Sequence, residues 1–144
     1  MNKQIVFLLL ALVSTAFAFT KSAQEPWTKD QLIEPSQLSG ILNDPSAKQP
    51  ILYSIGFGGG IKNSVDIGPV KDSINLNKWK KDLEKLPKNA DIVIYCGCCP
   101  FEYCPNIRPA FQLLNEMKFA NQKLLNLPHN LKMDWIDKGY PVKQ

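Results

Sequence analysis

The sequence predicts an α/β domain with a central, mostly parallel sheet. Short β-branched and apolar runs alternate with segments of helical periodicity through most of the chain, the pattern of strand–helix–strand units. The strongest run, "ADIVIYC", is apolar from Ile92 to Cys96, as a strand covered by helices on both faces must be. All four cysteines, Cys96, Cys98, Cys99 and Cys104, follow from the end of that run. Open α/β sheets place their sites at the carboxyl ends of strands.

The elements follow in order. Ser36 caps a short helix over "SQLSGILND", whose apolar face is Leu38, Ile41 and Leu42. "PILYSIG", between a proline and glycines, reads as a buried strand. "GFGGGIKNSVDIGPVKD" is a long glycine-rich connection. Its glycines are not followed by the Gly-Lys-Ser/Thr of a phosphate loop, so they read as a flexible link. "SINL" is a further short strand, and Asn77 caps the helix "KWKKDLEKL", with Trp79, Leu83 and Leu86 turned to the core. After "ADIVIYC", "PNIRPAFQLLNEM" is helical, with Pro105 in the first helical position and Ile107, Phe111 and Leu114 on one face. Pro109 falls within the first turn, where it is tolerated. "QKLLNL" is the last strand, and "LKMDWIDKGYPV" a short helix closed by Gly139.

Ahead of these elements, "MNKQIVFLLLALVSTAFAFT" joins Lys3, a short apolar run and the small-x-small site Ala16-Phe17-Ala18. That is the layout of a secretory signal peptide, and the run is shorter than the about 20 residues that span a bilayer. No cysteine follows the run, so no lipid anchor is indicated. The expected organisation is a signal peptide at 1–18, a polar, disordered leader at 19–25 and one domain at 26–144, secreted or periplasmic and without stable membrane insertion after cleavage. Cleavage removes one lysine and leaves a net charge of +3. So modest a charge, without a basic stripe interleaved with aromatics, gives no reason to expect nucleic acid as a partner.

Crowding the cysteines into one segment suits chemistry at one site better than a framework of loop-closing disulfides. Cys96 ends a strand and a helix starts near Pro105, so loop N–H groups and the positive helix end are placed to favour a thiolate or a bound anion. Gly97, in that loop, and Arg108, one turn into the helix, are the candidate substrate-binding residues. Three chemistries fit: sulfur transfer through a cysteine persulfide, dithiol–disulfide exchange through Cys96-Gly97-Cys98-Cys99, and binding of Zn(II) or Cu(I) by thiolates. Local disulfides are the structural alternative, and one of the three pairings would join the adjacent Cys98 and Cys99 under strain. His129, the single histidine, reads as a solvent-exposed loop residue.

The surrounding motifs resemble the rhodanese (thiosulfate sulfurtransferase-like) family over nearly the whole mature length. "PILYSIG" stands where the family reads P-V-L-I-D-V-R, "DIGPVKDSIN" where it reads G-H-I-P-G-A-I-N, and "IVIYC" where V-V-Y-C opens its active-site loop. "WIDKGYPV" matches the W-x-x-x-G-Y-P-V ending. The resemblance implies a rhodanese-like three-layer fold and a catalytic persulfide on Cys96, with Cys99 or Cys104 as resolving thiol. It implies no cofactor, and as partners a small sulfur-donor anion and a thiol acceptor. The sequence departs from the family at Ser54 and Gly56, which replace its Asp and Arg, in a longer loop with three extra cysteines, and at "LPHNLKMD". A second, local resemblance is to thioredoxin-like proteins, whose strand, Cys-Gly-x-Cys and helix look like pieces of this segment. It implies a thiol–disulfide role with a redox partner protein.

Overall fold

The protein is described here by a computed structural model covering residues 24–144, so the expected signal peptide lies outside the described residues. Five strands form one sheet, all parallel, in the order β1-β5-β4-β2-β3. The strands are β1 (Leu32–Ile33), β2 (Ile51–Ser54), β3 (Val65–Asp66), β4 (Asp91–Tyr95) and β5 (Asn121–Leu125). The helices are α1 (Pro35–Asn43), α2 (Ser73–Leu83), α3 (Ile107–Glu116) and α4 (Leu131–Asp134). No helix among the described residues is long and apolar enough to cross a membrane.

The period-2 alternation of the central strands sorts the core into two layers. Ile92, Ile94 and Cys96 face one side, where Tyr53, Ile55 and Leu124 join them against Trp79 and Leu83 of α2 and Ile107, Phe111 and Leu114 of α3. Val93 and Tyr95 face the other, with Leu52 and Leu125, against Leu38 and Leu42 of α1, Leu131 of α4 and Trp135. The expected α/β architecture is therefore present, with helices on both faces of a parallel sheet.

Several local expectations are corrected. "SINL" is not a strand but the first turn of α2, and the cap is Asp72 rather than Asn77; its carboxylate accepts the Ile74 N–H at 2.8 Å. Leu76, Trp79 and Leu83 recur at i, i+3 and i+7, so the helical stripe begins before Asn77. Glu34, not Ser36, caps α1, whose first residue is Pro35. Pro105 precedes α3 and lies outside it, with Asn106 between them at the N-cap position, while Pro109 does sit in the first turn.

The glycine-rich connection is pinned rather than loose. The Tyr95 hydroxyl meets Gly60 N, Ile61 N and Ser64 Oγ at 3.2, 3.3 and 2.8 Å, and Ile61 pairs with Val142 in an antiparallel bridge. The connection also contains β3, a two-residue edge strand with both side chains exposed and so without an apolar signature. Residues 19–23 of the expected leader lie outside the described residues, and its last residue, Glu25, pairs with Arg108. The C-terminal helix breaks at Trp135 into α4 and a 3₁₀ turn, and Gly139 closes it with φ 72°.

A four-thiol candidate site at the carboxyl end of the central strand

Cys96 continues the apolar row of β4 and is 1% exposed. The chain then turns sharply at Gly97, where a Cβ would stand 2.0 Å from the Gly58 carbonyl oxygen. Gly97 is fixed on both sides: its N–H donates to Phe57 O (3.2 Å), and its carbonyl accepts the Leu131 N–H (3.0 Å). Its amide is thus committed to the glycine-rich connection rather than free to bind an anion. Gly56 seats the sulfur, because a Cβ there would lie 2.3 Å from Cys96 Sγ. The absence of a side chain at this departure from the rhodanese pattern is what leaves room for Cys96.

The loop is long because it folds back. Phe101 opens a 3₁₀ turn over Phe101–Tyr103, donates its N–H to Leu127 O (3.1 Å) and buries its ring beside Trp27. This return delivers Cys104, fully buried, to Cys96. The four Sγ atoms lie within 4.8 Å of one another, with Cys96–Cys98 at 3.5 Å and Cys98–Cys99 at 3.2 Å. All four are free thiols, Cys98 exposed and Cys99 half-buried.

One side chain that the sequence reading left out organises the buried pair. Asn106, 2% exposed, directs its amide Nδ2 at both Cys96 Sγ and Cys104 Sγ, each at 3.8 Å. Its Oδ1 accepts the Lys71 N–H at 3.0 Å, which fixes the amide's orientation. The signal available was an asparagine at a helix start, but it reads as a cap from sequence. Here the side chain caps nothing and turns to the sulfurs instead. Cys98 was likewise left out of the expected catalytic set, yet it touches two of the other thiols.

The electrostatics divide the pair. The neighbouring Cys96 side chain holds the Cys104 sulfur well below the usual thiol range, and the Asn106 backbone and side-chain N–H groups add to this. The proximity of Cys104, and then burial, pushes Cys96 far up. Burial and then the contact with Cys98 push Cys99 up to about 12. The two buried thiols therefore titrate as a unit, with Cys104 ahead of Cys96.

Of the expected site residues, Cys96, Cys99 and Cys104 come together. Arg108 does not join them: its guanidinium bonds Glu102 O at 2.8 Å, pairs with Glu25 and lies over Trp27. His129 is exposed as expected, with Nδ1 2.8 Å from Asp134 Oδ1. Comparison with protein-family models returned no match, and comparison with the curated proteins returned none.

Proposed function

We propose that the chain is an exported rhodanese-like sulfurtransferase that carries sulfane sulfur as a cysteine persulfide. The observation that supports this most is the pairing of two buried thiols under one oriented amide at the end of β4. Such a pair supplies a thiolate at neutral pH on sulfurs that are themselves buried, beside an exposed Cys98.

In this reading the thiolate shared by Cys96 and Cys104 attacks the outer sulfur of a thiosulfate-like donor. A sulfur–sulfur bond forms on the cysteine, the donor's own breaks, and sulfite leaves with the electron pair. An acceptor thiolate then attacks the terminal sulfur, takes it as a new persulfide and restores the cysteine thiolate. The donor approaches past Cys98 and Cys99, which lie on the accessible side. The resemblance points to Cys96 as carrier, and the charge distribution favours Cys104 as the first to ionise.

Intact mass of the reduced, metal-free protein after thiosulfate tests the proposal. One added sulfur atom is expected, retained in Cys98→Ser and lost in both Cys96→Ser and Cys104→Ser. Folded protein that gains no sulfur would sink the assignment. Loss of one buried-pair variant alone would name the carrier.

A second reading, thiol–disulfide exchange with a redox partner, is favoured by the 3.5 and 3.2 Å contacts of Cys98. An outer thiol attacking the inner sulfur of the persulfide would expel hydrosulfide and leave a disulfide, which an external dithiol must reduce. The same mass measurement would then read two hydrogens lost and no sulfur gained.

A further inference from the structure

We propose that Cys96, Cys98, Cys99 and Cys104 also form a binding site for one soft, closed-shell cation: Zn(II) held by four thiolates or Cu(I) held by three. Two observations carry this independently of the sulfur-transfer reading. The first is spacing. Four sulfurs around Zn(II) at about 2.3 Å stand about 3.8 Å apart. The thiols here have close contacts of 3.2 and 3.5 Å and a largest separation of 4.8 Å, so the set brackets that spacing and needs only small side-chain rotations.

The second is direction. Neighbouring residues on an extended chain point to opposite sides. Cys98 and Cys99 instead lie in the bend that follows Gly97, and their sulfurs sit side by side, toward the buried pair. Gly97 can make this bend because its missing Cβ admits Gly58.

The donor set specifies the ion. No carboxylate or imidazole belongs to the cluster among the described residues, and an all-sulfur set takes Zn(II) or Cu(I) in preference to Mg(II) or Ca(II). Asn106 Nδ2, 3.8 Å from both buried sulfurs, is placed to donate N–H to two of the ligands, as outer groups of metal–thiolate sites do. Two ligands are anchored in the core, Cys99 is half-buried and Cys98 is exposed, which gives an ion a way in. Each thiol that becomes a ligand releases its proton, and no electron moves. Metal and sulfane sulfur are therefore alternative occupants of one site.

The test uses reduced, metal-free protein under nitrogen, titrated separately with Zn(II) and with Cu(I) in competition with a chromogenic chelator. Native mass should show one ion per chain, and Co(II) in place of Zn(II) should give the thiolate charge-transfer bands of a tetrahedral sulfur set. Cys98→Ser/Cys99→Ser, which alters no buried side chain, should weaken either ion at least about tenfold with the circular dichroism unchanged. Single outer variants separate the ions, since Zn(II) needs both outer thiols and Cu(I) only one. Substoichiometric binding of both ions, or a double variant that binds like the wild type, would overturn the proposal. Sulfur gain from thiosulfate, read on the metal-free sample, succeeds or fails separately.

Discussion

Along β4, Val93 and Tyr95 point to one face of the sheet while Ile92, Ile94 and Cys96 point to the other, so one strand serves two quite different layers. On the α1/α4 side its last residue is Tyr95, whose hydroxyl meets two backbone amides and Ser64 and so binds the glycine-rich connection down. Trp135 completes that side, its indole N–H donating to Pro141 O at 2.9 Å. On the α2/α3 side the apolar row runs upward into sulfur, and the polar group beside it, Asn106, is held by the Lys71 N–H and turns its amide nitrogen to the thiols. A one-residue step along β4 thus separates a layer whose polar atoms close the fold from one whose polar atoms hold chemistry. The two share the strand, and Leu131 N–H to Gly97 O ties them at the top.

The sharpest way to break this division is to remove the closing side chain. Trp135→Ala empties a fully buried site and should cost about 3–5 kcal/mol. Denaturant unfolding would read that loss, while sulfur gained per folded molecule should stay near wild type. If stability falls by less than about 1 kcal/mol, or if sulfur uptake falls in protein that is still folded, the two layers are not separable in this way.

A smaller effect is expected from Asn106→Ala on the other layer. It leaves the part-buried Lys71 N–H without its acceptor and removes the donor to both sulfurs, a cost of about 1 kcal/mol. The distinctive readout is pH. Cys104 is depressed in the fold, so its ionisation stabilises the folded state above the ordinary thiol pKa, and that contribution is lost as pH falls through the depressed value. Cys96 is raised, so its neutral form stabilises the fold below the ordinary value, and that contribution is lost as pH rises through the raised one. Thiolate absorbance of the reduced, metal-free protein should show one early step below the ordinary thiol range. Cys96→Ser should move that step up most, because the Cys96 neighbour is its largest cause, and Asn106→Ala should move it less. An early step that survives Cys96→Ser would place the charge elsewhere.

What could be read from the sequence divides along local and non-local lines. β4 and the core positions of α3 were legible because an unbroken apolar run and the Ile107–Phe111–Leu114 stripe leave few alternatives. Trp79 was legible as core, yet the start of its helix was not, because Ile74 is exposed and "SINL" mimics a strand. β1 and β3 have two residues each and carry no period to read. At the site, four crowded cysteines marked one candidate site, but their arrangement depends on contacts far apart in sequence. Phe101 to Leu127 returns the loop, Gly58 against Gly97 sets the bend, and Lys71 orients Asn106. No local pattern encodes those three.

Arg108 gives the smallest expected effect and tests how far the chemistry of the α2/α3 layer reaches. The sequence makes it a substrate-binding cation one turn into α3, whereas the structure spends its guanidinium on Glu25, Glu102 O and the face of Trp27. Both members of the ion pair are about two-fifths exposed, so the pair contributes at most about 1 kcal/mol. Arg108→Ala should therefore lower stability only slightly and leave thiosulfate turnover within about twofold of wild type. A rise in KM of tenfold or more with kcat unchanged would mean that Arg108 leaves Glu25 for the donor anion. The layer would then extend its chemistry to the helix surface, and Glu25→Gln, by freeing the guanidinium, should lower that KM instead.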